Sequence, residues 1–123
     1  LLPAERALKV IAGRWKVVVL YHLFTGPKRL SELQRLLPSV SQKVLIHQLR
    51  EMEEHRLVHR EIFREVPPRV EYSATALGRS LEPVIVSLCD WGRRHAAELS
   101  DPEAPERPLV TPEISREYAE VVS

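Results

Sequence analysis

The stretch Leu30–His55, LSELQRLLPSVSQKVLIHQLREMEEH, contains two short amphipathic segments joined by a turn. At about 100° per residue, Leu45, Leu49 and Met52 share one narrow apolar stripe of a helix running from Ser41 to about His55. Lys43, His47, Arg50 and Glu54 fall on the opposite side, so one face is core and the other is presented outward. Ser41 is placed to cap the free N–H groups of the first turn, and Val40 just before it can staple onto Leu45. The preceding segment, Leu30 to Leu37, is apolar at Leu30, Leu33 and Leu36/Leu37, and Pro38-Ser39-Val40 supplies the turn. This is helix-turn-helix spacing.

The residues that follow sharpen the reading. Leu57 to Phe63 is rich in β-formers, Val70 to Ser73 alternates apolar and polar, and Glu65-Val66-Pro67-Pro68-Arg69 lies between them. Prolines cannot donate to a sheet ladder, so they belong at a hairpin tip, here flanked by Arg64 and Arg69. A helix-turn-helix followed by such a hairpin is a winged helix. Upstream, Pro3 suits a first helical position, Leu8 and Ile11 fall at helical spacing, and Gly13 ends that helix. Trp15 to Phe24 is apolar on nearly every side and is expected to be the buried spine. Gly26-Pro27 stops it, and Lys28 with Arg29 are expected to form a very short strand completing a three-stranded sheet.

From Thr75, a natural cap, one long helix is expected to run to about Leu99. Leu77, Leu81, Val84, Leu88, Trp91 and His95 alternate steps of four and three, the rhythm of a coiled-coil seam, and Ile85 widens it. Such a stripe can simply cover a domain's own core. A helix of about 25 residues, twice the usual length, exceeds what a domain this small needs to cover, which favours a dimer seam. Residues 1–99 are thus read as the working domain, and 100–123 as an acidic, Pro-rich tail with a short helix opening at Thr111-Pro112 through Ile114, Tyr118 and Val121/Val122.

The chain has 123 residues, 44% hydrophobic, and a formal net charge of only +1. The distribution matters more. Up to Ala97 there are 16 basic and 10 acidic residues, and from Glu98 onward 2 and 7, so a basic body carries an acidic tail. One cysteine excludes an internal disulfide and fits a reducing compartment. No signal peptide is visible, and the apolar run Val17–Phe24 is far short of the roughly 20 residues a bilayer needs, so a cytoplasmic protein without a membrane partner is expected.

Taken in order, Glu5-Arg6-Ala7-Leu8, Gly13-Arg14-Trp15-Lys16, Arg29-Leu30-Ser31-Glu32-Leu33, Leu49-Arg50-Glu51-Met52-Glu53 and Val66-Pro67-Pro68-Arg69-Val70-Glu71-Tyr72 with Leu77-Gly78 resemble HxlR-type winged helix-turn-helix transcription regulators. The resemblance covers about Pro3 to Gly92, and the wing segment is its most specific part. It implies a DNA-binding homodimer held by its first and last helices; the candidate interface residues of this chain are Leu8, Leu77, Leu81, Val84, Ile85, Leu88 and Trp91. Several members of the family look like thiol-based sensors with a cysteine just before the first helix. This chain has Leu2 there, so the usual sensing nucleophile is missing at that place.

On this reading Ser41, Gln42, Lys43, Ile46, His47 and Arg50 reach base edges or phosphates in a major groove. Arg64 and Arg69 touch backbone or minor groove, and Lys28 and Arg29 touch phosphate. The partner is double-stranded DNA with a pseudo-palindromic operator. An unidentified small-molecule effector is the remaining candidate partner. The competing reading is a winged helix used as a protein-interaction module, which would not need cations at both helix and wing. His55 and His59 are four apart but straddle a helix-to-strand junction, so no metal site is assigned. Cys89 is by default a small buried hydrophobe, with Arg93 one turn on as the only group favouring a reactive thiol. No phosphate loop or nucleophile constellation suggests an enzyme, and no cofactor is implied. The expected fold class is mainly α with a small β-hairpin wing (α+β) and a long C-terminal dimerisation helix.

Overall fold

Helix α2 (Lys16–Leu23) buries Lys16, Val18, Val19, Leu20, Tyr21, His22 and Leu23, as its apolar circumference demands. It is the spine of the computed structural model, which describes residues 2–99. The expected helix in the acidic tail lies outside the described residues. Helix α1 (Pro3–Ile11) has proline in its first turn and ends before Gly13, whose φ of +114° is a conformation that side chains disfavour. The chain divides into two units, Leu1–Glu82 and Pro83–Ser123.

In the first unit, β1 (Lys28–Arg29) leads into α3 (Leu30–Leu36) and, after the turn, α4 (Gln42–Glu54). The Glu32 carboxylate accepts from the Arg29 N–H at 3.1 Å, closing the start of α3. Gln34 donates its side-chain amide to the Val40 carbonyl, which fastens the turn to α3. The Ser41 hydroxyl accepts from the Val44 N–H at 3.2 Å, the expected cap, worth about 1 kcal/mol. Leu33, Leu37, Val40, Leu45, Leu49 and Met52 are all buried, so both inner faces enter the core as their spacing predicts.

Strands β2 (Val58–Phe63) and β3 (Arg69–Ala74) form the wing, and β1 pairs with β3 to give the antiparallel order β1-β3-β2. Lys28 faces Tyr72 across one pairing and Arg60 faces Tyr72 across the other. Between α4 and β2, Arg56 takes a φ of +62°, turning the chain out of the helix. The Arg56 carbonyl accepts from the Thr75 hydroxyl at 2.6 Å, and the Leu57 carbonyl accepts from the Thr75 N–H at 3.0 Å. A side chain on Gly78 would place its Cβ 2.2 Å from that same Leu57 carbonyl. Glycine is required there by the close approach of α5 (Ala76–Arg79), whose first turn Thr75 caps through the Gly78 N–H.

The expectation of one continuous helix from Thr75 to about Leu99 is corrected. The chain forms α5, then α6 (Glu82–Arg94) and α7 (Ala96–Leu99), with a tight turn at Ser80 and Leu81. Pro83 is the cause: it lacks the N–H that would bond the Arg79 carbonyl, and its ring clashes with that turn, so α6 must start afresh beside it. The seven-residue rhythm continues through the break and conceals it.

His22 is buried, and its Nε2 has no hydrogen-bond partner among the described residues. Burial, aided by the nearby Lys28 cation, pushes its pKa down from 6.5 to about 4. The unfolded chain therefore binds a proton that the folded chain refuses between those two values. The stability contributed by neutral His22 is complete above pH 6.5 and is lost as pH falls towards 4. Denaturant unfolding should show a loss of up to about 3 kcal/mol across that window. A His22→Phe variant should flatten this slope, and an unflattened slope would assign the acid sensitivity to other groups.

Candidate nucleic-acid interface

The outer face of α4 carries an open groove of about 480 Å³ lined by Gln42, Lys43, Ile46, His47 and Arg50. These five were predicted from the sequence as reading residues, and the structure brings them onto one surface. Lys43 and Arg50 are exposed and form no ion pair among the described residues. Ile46 is half-buried between them, an apolar contact set among polar ones. Ser41 lies at the head of the helix with its hydroxyl already engaged as the cap.

An arrangement not read from the sequence holds this face in place. Glu51 takes the Lys16 ammonium on one carboxylate oxygen and the His47 Nε2, at 2.6 Å, on the other. The hydrogen bond from Lys16 is the main influence holding the Glu51 carboxyl below its usual range. Burial opposes it, and the Lys16 and His47 charges reinforce it. Lys16 itself is buried. The signal was a lysine opening an otherwise apolar helix, but its partner lies 35 positions on in the sequence.

The two arginines flanking the wing tip differ. Arg64 is exposed and unpaired among the described residues. Arg69 is held by Glu65 and Glu71, each at 3.2 Å, and its guanidinium lies 4.1 Å from the centre of the Phe63 ring. Its charge is largely answered within the wing. Between the two arginines, Val66 is fully exposed and joined to Pro67 by a cis peptide. Lys28 donates to the Thr25 hydroxyl at 3.0 Å and to the Gly26 carbonyl at 3.4 Å, whereas Arg29 is exposed. None of these four cations lines the α4 groove.

A second cleft of about 360 Å³ lies between α4 and the wing, lined by Leu30, Ile46, Arg50, Glu53, Arg60 and Tyr72. Arg60 reaches Glu53 only loosely, at 3.8 Å. Burial raises the Tyr72 phenol pKa, against the pull of the Arg60 cation. Sequence reading missed Arg60 and Tyr72 because only the strand register places them opposite each other. His59 bonds to Glu61 at 2.6 Å, and among the described residues no group of three side chains is arranged to hold a metal.

Of the expected dimer residues, Leu8 on α1, Leu77 on α5, and Val84, Leu88 and Trp91 on α6 are each about half exposed. Leu81 is intermediate. Ile85 is corrected: it is completely buried within the chain and has no surface left for a partner, because it lies one position off the Val84, Leu88, Trp91 face. Cys89 is half-buried, and Arg93, the one cation that would favour a reactive thiol there, is paired with Asp90 at 3.1 Å.

A family model described as HxlR-like helix-turn-helix matches residues 10–100. The chain is 46% identical over 102 residues to the uncharacterized HTH-type transcriptional regulator YdeP of Bacillus subtilis, covering 83% of this chain and 80% of that one. It is 42% identical over 107 residues to an uncharacterized HTH-type transcriptional regulator of Methanothermobacter thermautotrophicus, covering 85% and 82% of the two chains. Among solved structures, the redox regulator HypR in its reduced form superposes with a TM-score of 0.76 at 45% identity, covering 79% of this chain and 96% of that one. With the presented helix, the wing and most of the chain matched, the protein belongs to the HxlR-like helix-turn-helix family.

Proposed function

We propose that this HTH-type transcriptional regulator binds a pseudo-palindromic DNA duplex as a homodimer, with the outer face of α4 in the major groove of each half-site. The observation that carries this reading is the α4 groove. Gln42, Lys43, Ile46, His47 and Arg50 combine amide, cationic and apolar contacts on one helix face, while Leu45, Leu49 and Met52 anchor the opposite face. Arg64 extends the cationic surface to the wing. Val84, Leu88 and Trp91 recur at spacings of four and three on α6 and remain half exposed, which supports their use in pairing two copies.

Selection of bound sequences from a random duplex pool should recover a two-fold repeated site. Affinity for that site should fall by about 0.9 log units per neutralised phosphate for each log unit of salt. No common sequence together with a flat salt response would favour a protein-interaction module instead. Leu88→Asp should leave the helix-turn-helix folded and produce monomers in sedimentation, since an unpaired carboxylate in an apolar interface costs several kcal/mol. Its operator affinity should fall with the loss of the second half-site.

Regulation through Cys89 is not expected. Leu2 offers no thiol before α1, and Arg93 is engaged by Asp90. Regulation, if any, would then come from a non-covalent small-molecule effector or from protein abundance alone. Diamide treatment should therefore leave operator affinity unchanged. A loss that disappears in Cys89→Ser would make Cys89 a sensor.

A further inference from the structure

We propose that the cleft between α4 and the wing seats a single backbone phosphate of the bound duplex, with Arg60 as its principal clamp and Arg50 and Tyr72 as flanking donors. The inference rests on the DNA-binding reading and adds residues and a contact which that reading does not contain.

Val58, Arg60 and Ile62 point to one side of β2, because alternate residues share a face. Val58 is buried, so that side is the core side at its base. Two residues on, the same side carries an arginine, and its cross-strand neighbour is the buried Tyr72. Beyond it, Ile62 is exposed. The sheet face thus leaves the core at Arg60 and becomes the wall of an open cleft, whose other wall is the Ile46, Arg50 and Glu53 side of α4.

Duplex geometry supplies the occupant. Adjacent major and minor grooves are separated by the sugar-phosphate backbone of one strand. A helix lying in the first and a wing reaching the second must straddle that backbone, and this cleft is the space they straddle. Two guanidiniums and one carboxylate leave the cleft a net positive charge. Arg60 is not committed to Glu53, since 3.8 Å is too long for a hydrogen bond. Phosphate oxygens offer it shorter, charge-assisted bonds. The Tyr72 phenol is protonated at neutral pH, burial raising its pKa further still, and so can donate.

The test uses the full chain and its selected operator, with each backbone phosphate replaced in turn by an uncharged methylphosphonate. In the parent, one position per half-site should weaken binding roughly tenfold. That position should have little effect on Arg60→Gln, because the contact is already lost. Arg60→Gln should also lower the salt slope by about 0.9 per subunit and weaken matched and mismatched duplexes equally. Glu53→Gln distinguishes a merely structural role. It should bind at least as tightly as the parent, whereas weakening equal to that of Arg60→Gln would reduce Arg60 to a partner of Glu53 and overturn the proposal. A parent that binds the operator but shows no methylphosphonate position dependent on Arg60 would also overturn it. A parent that binds no duplex would overturn the DNA reading itself.

Discussion

The Lys16 ammonium has left water for a position at the edge of an apolar helix, and the Glu51 carboxylate is what makes that position tolerable. An apolar stripe such as Leu45, Leu49 and Met52 is forgiving, since a helix can roll several degrees on it and bury the same area. An ion pair is directional. By joining α2 to α4 it fixes the roll of the presented helix and so determines which side chains face outward. Removing Glu51 strands the buried Lys16 ammonium, and an unpaired buried charge is costly. Glu51 keeps about a third of its side chain in water, so most of that cost belongs to Lys16. His47 shares the same carboxylate, and therefore one residue of the reading face is tied directly to the device that orients it.

Much of this was legible in the sequence because its signals are local. Ser41 caps the helix that it precedes, the turn holds Pro38-Ser39-Val40, the two prolines sit in the wing tip, and even the two-residue strand at Lys28 and Arg29 forms as read. The features missed are of two kinds. Pro83 is a local signal that the longer pattern hides. The spacing from Leu77 to Trp91 fits a heptad on either side of the break, but a heptad pattern does not show whether the backbone between its members is continuous. Ile85 failed for a related reason, since residues adjacent in sequence point about 100° apart and only packing decides which side is core. The others, Lys16 with Glu51 and Arg60 with Tyr72, join residues distant in the chain, and no periodicity within one element can reveal them.

The junction after α4 carries a second constraint, steric rather than electrostatic. The Leu57 carbonyl takes the Thr75 N–H and also lies where a Gly78 side chain would be, so the start of β2, the end of β3 and the first turn of α5 meet at one backbone atom. The wing is therefore anchored at its base by backbone contacts, independent of its tip. This leaves the tip chemistry open to variation. Here Glu65, Glu71 and Phe63 hold Arg69 across the hairpin and stiffen it, and Arg64 is left as the outward cation.

That distinction changes how the charge of the body should be read. Its excess of basic residues includes cations that the fold already uses: Lys16 on Glu51, Arg69 on two carboxylates, Lys28 on its own loop and Arg93 on Asp90. Exposed and unpaired among the described residues around the groove and the wing are Lys43, Arg50, Arg64 and Arg29, with Arg60 held only loosely by Glu53. On the proposed DNA reading these cations are the ones free to neutralise phosphates. On the same reading, discrimination between sites comes from the α4 face, where Gln42, Ile46 and His47 line one groove and would offer contacts that depend on which bases they meet. A strictly oriented reading helix would favour the right site over the many wrong ones. The directional Lys16–Glu51 pair provides that orientation.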